Sequence, residues 1–482
     1  MYWIVRCNNA FIRVLLLSYS ISIFPFSKTC FAQYSLPGDS IDVYVQSKML
    51  SQHIPGVALA IIKDRKLIKE GYYGLANIEN NVPVTSKSVF EIASMGKQFT
   101  CAAILLLQQE GKLNVSDKLS KYLENLPDTW QDITLQQLMN HTSGMRDDWI
   151  EETPYFLINH TDSLMLEAQK KSPLLFKPGE SFNYSSGPFT LGLVIKKISG
   201  KSHAQFLKEK IFEPLGMSSS SVYDSRKIVL NRVAGYTWKD NTFQNGIDIS
   251  SSAEARGDVG VITSLQDMIK WETAINNKSL LTEDSWRQMF TPGKLNDGSF
   301  ISYGYGWFIY PTGGYVAIEH DGAFRTGFRS DILRIPALNL TLIFLCNQWN
   351  TKISHVAYSI ATMIDSKLKL VSARPFKKDF DNRITNVLQS LMKNVAHKKW
   401  NYSALYEQAN FCGYSPKELQ FILEGFHNLV YVDSENLKKR PLLLYNEKIT
   451  KMLYYKAEGA FPSYWSFGYN DKGKLITVSR EL

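Results

Sequence analysis

Residues 94–111 read SMGKQFTCAAILLLQQEG. The stretch is rich in helix formers, has no interior proline, and ends at a glycine suited to a C-cap. Its apolar side chains surround nearly the whole circumference, which predicts a helix buried at the centre of a large core. The first turn departs from that pattern. Ser94 and Lys97 are three residues apart, which puts a hydroxyl and an amine on one face about one turn apart. A serine hydroxyl is a weak nucleophile until its proton is removed, and a lysine held away from water can act as that base or lower the barrier electrostatically. The helix start contributes partial positive charge and free N–H groups, which favour negative charge developing there. The spacing alone is weak evidence, because Ser366 and Lys369, and again Ser390 and Lys393, share it. Ser94 is set apart by opening a long apolar helix straight after a strand-rich segment.

Upstream, residues 41–84 open as a helix and continue into VALAIIKDRKLIKEGYYGLANIE, where Lys63 to Arg65 turn between two apolar runs. That predicts an antiparallel hairpin. Downstream, residues 112–230 carry short helical patterns punctuated by Pro and Gly, a helical subdomain. Strand patterns return from about Tyr303 in GYGWFIY, GYVAIEHDG, GFRSDILRI and LTLIFLCNQ. Strands from both ends of the segment therefore enclose the helices. After a helix at about 352–367, the charged stretch KLKLVSARPFKKDFDNR reads as a linker. The C-terminal part carries helices near 380–398 and 416–425, then strands closing in a hairpin at Asn470 to Gly473. The organisation expected is a leader over 1–32, a main domain over 33–368 and a small α+β domain over 369–482.

With 482 residues, 44% apolar and 21% charged, the chain has a globular composition, long enough for several domains and without low-complexity arms. The net charge of +9 is dispersed, so no nucleic-acid partner is expected. Arg6 and Arg13 precede an apolar run from Val14 to Phe26, followed by a small-x-small pattern at Cys30 and Ala32. This reads as a cleavable signal peptide and predicts a periplasmic or secreted protein. Pro25 interrupts the run, which is shorter than the roughly 20 residues a bilayer span needs, and no later segment looks like a span. Cys101, Cys346 and Cys412 are scattered and odd in number, so no disulfide framework is expected, and the first two read as small buried hydrophobes. Neither a metal site nor a nucleotide signature is suggested, so no cofactor is expected.

Two further elements carry possible chemistry. Tyr184-Ser185-Ser186 lies in the turn-rich PGESFNYSSGPFTLG. A tyrosine there is either a packing ring or a proton shuttle whose ordinary pKa near 10 has to be lowered by nearby cations. His320-Asp321-Gly322 closes a predicted strand, where glycine lets a backbone approach a ligand and a lone histidine is often simply hydrogen-bonded.

Taken in order, Ser-x-x-Lys, Tyr-x-x and His-x-Gly resemble the three motifs of the penicillin-recognising serine enzymes, in the branch of class C beta-lactamases, DD-peptidases and related esterases. EGKLNVSDKLSKYL, ITLQQLMNHTSGM, PGESFNYSSG, IFEPLGM, GDVGVITSLQDMIKW, YGYGW and HDGAFRTGF look like landmarks of that family in family order, over roughly 41–367. The resemblance implies an antiparallel sheet flanked by helices, a helical subdomain, and a site between them. It implies Ser94 as nucleophile, Lys97 as its activating partner, Tyr184 as general base or proton shuttle, and His320 as a substrate-side residue on the strand of Gly322. The backbone N–H groups of Ser94 and Ala323 would form an oxyanion hole. Two positions depart from the pattern. Ser186 stands where many relatives carry an amide-binding asparagine, and His320 replaces the lysine of Lys-Thr-Gly. Arg325 or Arg329 either supplies the missing cation or is a solvated loop charge. HTSG at His141 to Gly144 is expected to be structural, its polar side chains tying down backbone. The function implied is hydrolysis of a peptide, amide or ester substrate in the cell envelope through a Ser94 acyl-enzyme, as D-Ala-D-Ala carboxypeptidase, esterase or beta-lactamase. The alternative is a penicillin-recognising binding or sensor module with little turnover.

Overall fold

The computed structural model describes residues 39–481 except 147–160, 225, 247–256, 299, 369–370, 372–373, 380, 398–409, 412–418, 421, 439–441, 445–446 and 461. The expected signal peptide, Cys412 and part of the helix expected at 416–425 lie outside the described residues.

Helix α1 (Ser40–Ser51) starts at Asp39, whose Oδ1 accepts the Ile41 and Asp42 N–H groups as an N-cap. The chain then forms β1 (Gly56–Lys63) and β2 (Lys66–Asn77), joined by Asp64 and Arg65 at φ 51° and 63°. Positive φ at both turn positions matches the strand twist, so the predicted hairpin forms. A short β3 (Val82–Pro83) comes next. The apolar stretch becomes α2 (Lys97–Gln109), entered through a 3-10 turn over Ala93–Gly96. Helices α3 (Pro188–Ser199) and α4 (Leu265–Asn277) pack beside it. Four strands then run antiparallel: β4 (Phe308–Thr312), β5 (Tyr315–Phe324), β6 (Phe328–Ile335) and β7 (Leu340–Cys346). Helix α5 (Ile353–Ile364) succeeds them.

The seven strands form one sheet in the order β3-β2-β1-β7-β6-β5-β4. Strands β1 and β7 pair from Val57 with Cys346 to Lys63 with Leu340, so the two ends of the segment close the sheet, as the strand pattern predicted. One face buries Leu59, Leu342 and Phe344 against Val45 of α1 and Val356 and Ile360 of α5. The other buries Ala60, Ile343 and Leu345 against Phe99, Ile104 and Trp271. Helix α2 is buried on every side from Lys97 to Leu105, and two of its polar side chains are engaged there: Trp271 Nε1 donates to Gln98 Oε1 at 2.9 Å, and Thr100 Oγ1 lies 3.0 Å from His203 Nε2. Cys101 and Cys346 are free and buried, and burial raises both thiols.

Beyond α5 lies helix α6 (Asn382–Ala396) and a second sheet of six strands: β8 (Asn410–Phe411), β9 (Asn428–Asn436), β10 (Leu442–Leu444), β11 (Glu447–Glu458), β12 (Ser463–Asn470) and β13 (Leu475–Glu481). Leu388, Met392 and Val395 of α6 cover Leu453, Tyr455, Trp465 and Phe467 of this sheet. Val432, Ile449, Met452, Tyr454 and Ile476 cluster instead with Ile309 of β4, so the second sheet is braced against the outer strand of the first. Arg374 ties the segment after α5 to the second sheet: its side chain, 7% exposed, meets Asp433 at 3.1 Å and Glu435 at 3.3 Å, with its guanidinium 4.1 Å from the Tyr454 ring centroid.

Candidate active site

The site is built around the turn that opens α2. The Ile92 N–H donates to the Val261 carbonyl at 3.0 Å, anchoring the end of the strand Val89–Glu91. Ala93 then adopts φ +47°, a left-handed conformation that costs a non-glycine residue roughly 1–2 kcal/mol. The buried turn absorbs that cost and closes with Met95 N–H donating to the Ile92 carbonyl at 3.1 Å. It sends Ser94 and Lys97 to one side of the helix start. Lys97 Nζ donates to Ser94 Oγ at 3.0 Å and to the Asp258 carbonyl at 2.9 Å, in a position only 3% exposed. Gly306 of the YGYGW loop lies against the Lys97 and Gln98 backbone, where an added Cβ would sit 3.1 Å from Lys97 O.

Tyr184 is the third wall. Its ring faces the Lys97 ammonium, 4.9 Å from the centroid, and stacks on Phe308 at 5.8 Å. The hydroxyl is buried beside Lys97 and Ser94 without a well-formed hydrogen bond to either. Burial pushes the phenol upward and the Lys97 charge only partly opposes this, so the resting group is a phenol. His141, held at φ +60°, accepts the Ser185 N–H at Nδ1, 3.1 Å away, and packs 4.4 Å from the Tyr184 ring. The HTSG loop thus ties down the backbone of the Tyr-Ser-Ser segment, the structural role expected of it. Burial holds His141 neutral, well below its ordinary pKa, and Ser186, next in sequence to Ser185, is buried as well.

His320 is fully buried with both ring nitrogens engaged. Nδ1 donates to the Asp321 carbonyl at 2.6 Å, which leaves Nε2 to accept the Tyr303 hydroxyl at 2.8 Å. Burial first, and Lys97 second, depress its pKa to about 3. The ring sits among Tyr184, Tyr303 and Phe308 as a neutral group, so it supplies no cation. Of the two alternative cations, Arg329 is paired with Asp321 at 3.4 Å and Arg325 is exposed. Gly322 explains how β5 reaches the serine turn: a Cβ there would lie 2.1 Å from the Ile92 carbonyl oxygen. Only glycine permits this approach, which carries the Ala323 backbone alongside the turn of Ser94.

The opposite face of β5 carries a buried acid pair. Glu319 and Asp331 are diagonal neighbours on one face of the β5–β6 pair, where Asp331 stands opposite Asp321 and Glu319 opposite Leu333, near the Asp321 and Arg329 ion pair. Burial, with Asp321 adding to it, raises Glu319 to about 7, and burial together with Glu319 raises Asp331 as well.

Sequence reasoning named Ser94, Lys97, Tyr184, Ser186, His320, Gly322 and Ala323, and the fold gathers these segments around one helix start. It missed the Asp258 carbonyl, Tyr303 and Phe308. The tyrosine and the phenylalanine were within quoted strand patterns, whereas a backbone carbonyl leaves no mark in a sequence.

A buried helix opening on a Ser–Lys pair, walled by a tyrosine loop and an antiparallel sheet, defines the beta-lactamase/transpeptidase-like fold. The Beta-lactamase family model matches residues 41–360, and the chain belongs to that family. Penicillin-binding protein 4* of Bacillus subtilis (strain 168) is 30% identical over 300 residues, covering 57% of this chain and 64% of that protein. A D-aminopeptidase of Brucella anthropi is 30% identical over 278 residues, covering 56% of this chain and 52% of its own. The matches therefore span between half and two thirds of these relatives' lengths. Among solved structures, an octameric penicillin-binding protein homologue from Pyrococcus abyssi superposes with TM-score 0.60 at 21% identity, over 90% of this chain and 94% of that one. A penicillin-binding protein from Bacillus halodurans gives TM-score 0.58 at 24% identity over 66% of this chain and 99% of its own. At these identities the structures bear on the fold alone. No helix among the described residues is long and apolar enough to cross a membrane.

Proposed function

We propose that this protein is an exported serine hydrolase that transfers an acyl group from a peptide, amide or ester substrate to Ser94 and then to water. The observation that carries the reading is the 3.0 Å contact of Lys97 Nζ with Ser94 Oγ, made by an amine held out of water by the Asp258 carbonyl. In the reacting form Lys97 is the unprotonated amine: its Nζ takes the Ser94 proton as Oγ attacks the substrate carbonyl, and the oxyanion forms toward the Ser94 and Ala323 N–H groups. One such donor typically contributes about 3 kcal/mol to the transition state. Tyr184, a phenol at rest, passes its proton to the leaving group as the intermediate collapses and is reprotonated by Lys97, which returns to the free amine. Water then attacks the ester carbonyl, giving one proton to the Lys97 amine, which delivers it to Ser94 Oγ as the Oγ–C bond breaks and the acid departs. A neutral His320 offers no charge to a substrate carboxylate, which supports ester or amide substrates without a carboxylate at that position over efficient lactam destruction.

Residues 33–368 form the hydrolase in this reading and residues 369–482 an accessory unit braced on β4. The relatives' names, a penicillin-binding protein and a D-aminopeptidase, support an envelope substrate. A second reading, a sensor that acylates without turnover, draws on the buried Ser186 in place of an amide-binding residue. Intact-mass spectrometry of wild type and Ser94→Ala after exposure to a fluorescent penicillin and an activated short-chain ester tests both. An acyl mass on wild type alone, with product release, supports the hydrolase. Stable acylation without release favours the sensor, and equal labelling of both proteins overturns the assignment of Ser94.

A further inference from the structure

We infer that Tyr303 is a positioning residue for the oxyanion side of the site, acting through His320 on the backbone that leads to Ala323. This rests on the proposed role of the Ala323 N–H group. The Asp321 carbonyl can only accept, so the 2.6 Å contact puts a proton on His320 Nδ1. The remaining nitrogen, Nε2, then has a lone pair to satisfy in a fully buried position, and the Tyr303 hydroxyl donates to it at 2.8 Å. Tyr303 is itself fully buried, and burial keeps it a phenol far above its ordinary range, so it remains a donor at every working pH.

The relay is directional. The Tyr303 O–H selects the Nδ1–H tautomer; that N–H holds the Asp321 carbonyl; the carbonyl orients the peptide joining Asp321 to Gly322, one peptide before the Ala323 N–H. Gly322, pressed against the Ile92 carbonyl, has no side chain that could fix this orientation by packing. The ring is further confined by Phe308 at 5.4 Å and Tyr184 at 6.0 Å. The charged and titratable groups facing it are Lys97 from α2, His141 and Tyr184 from the loops, Tyr303, and Asp321 next in the chain. Glu319 and Asp331 lie on the other face of the strand.

Removing the hydroxyl leaves Nε2 without its donor and lets the ring exchange to the Nε2–H tautomer, whose bare Nδ1 no longer holds the carbonyl. Tyr303→Phe should lower kcat by roughly tenfold, the worth of one neutral hydrogen bond, with KM for a small activated ester nearly unchanged. In the folded variant the His320 ring should also populate the Nε2–H tautomer, read from its ring nitrogen signals. Ring nitrogen NMR of the wild-type protein provides the check that needs no variant: His320 should hold one protonated nitrogen, Nδ1, from pH 5 to 8, without titrating. A wild-type His320 that titrates in this range, or that protonates Nε2, overturns the relay. So does a folded Tyr303→Phe enzyme with unchanged kcat and an unchanged His320 tautomer. Loss of Ser94 labelling specificity would instead overturn the acyl-enzyme reading and leave the NMR result standing.

Discussion

Replacing Glu319 by Gln should make the protein more stable at pH 8 and leave it nearly unchanged at pH 5. In the folded protein Glu319 is raised to about 7, while an unfolded chain releases its proton near 4.5. Between those values the native state binds more protons than the unfolded one, so stability falls as pH rises and the full cost is present above about 7. A gap of about two units corresponds to a cost on the order of 3 kcal/mol, shared with Asp331, which burial and Glu319 raise in the same direction. Glutamine keeps the size and a hydrogen-bonding group while removing the charge. Urea unfolding at pH 5, 6, 7 and 8 measures it: wild type should lose stability across the series, and the variant should be markedly flatter and more stable than wild type at pH 8. Equal slopes for the two proteins would refute the reasoning, since the pair would then carry no differential protonation.

Gly322→Ala should cost at least tenfold in kcat, because its Cβ would meet the Ile92 carbonyl at 2.1 Å and push β5 from the serine turn; esterase kinetics, with circular dichroism to verify folding, reads this directly. Tyr184→Phe should reduce kcat by about 10²–10⁴-fold while leaving the melting temperature within a few degrees, the range expected for loss of a proton-transfer group. Arg374→Ala should destabilise by about 1–2 kcal/mol, because Asp433 keeps Lys377 at 2.6 Å and Glu435 is partly exposed, and limited proteolysis should then cut first within the C-terminal sheet.

Local signals were the legible part of this chain. The β1–β2 hairpin is set by a short turn between apolar runs, and α2 by an uninterrupted run of helix formers; both need only neighbouring residues. The Ser94–Lys97 pair belongs to the same class, since one helical turn joins them. What the sequence concealed depends on contacts across long stretches of chain. The Asp258 carbonyl reaches Lys97 from 161 residues away, and backbone atoms carry no residue identity. His320 was placed on a strand at the site, yet its charge state is decided by burial first and Lys97 second and its tautomer by Tyr303, and no motif encodes the burial or that hydroxyl. Glu319 and Asp331 look like ordinary polar positions of alternating strands until the register sets them together on a buried face.

The brace between the two sheets also bears on what β4 would do without it. The outermost strands of a sheet expose backbone groups on which a second chain can template itself. At one margin the first sheet ends in β3, only two residues long and containing Pro83, which lacks an N–H to offer. At the other, β4 carries Ile309, Tyr310 and Pro311, and it is the C-terminal sheet that covers Ile309 and packs on Tyr310. A chain cut at about residue 368 would uncover this apolar margin, so its first symptom should be self-association at modest concentration, before any change in the chemistry at Ser94.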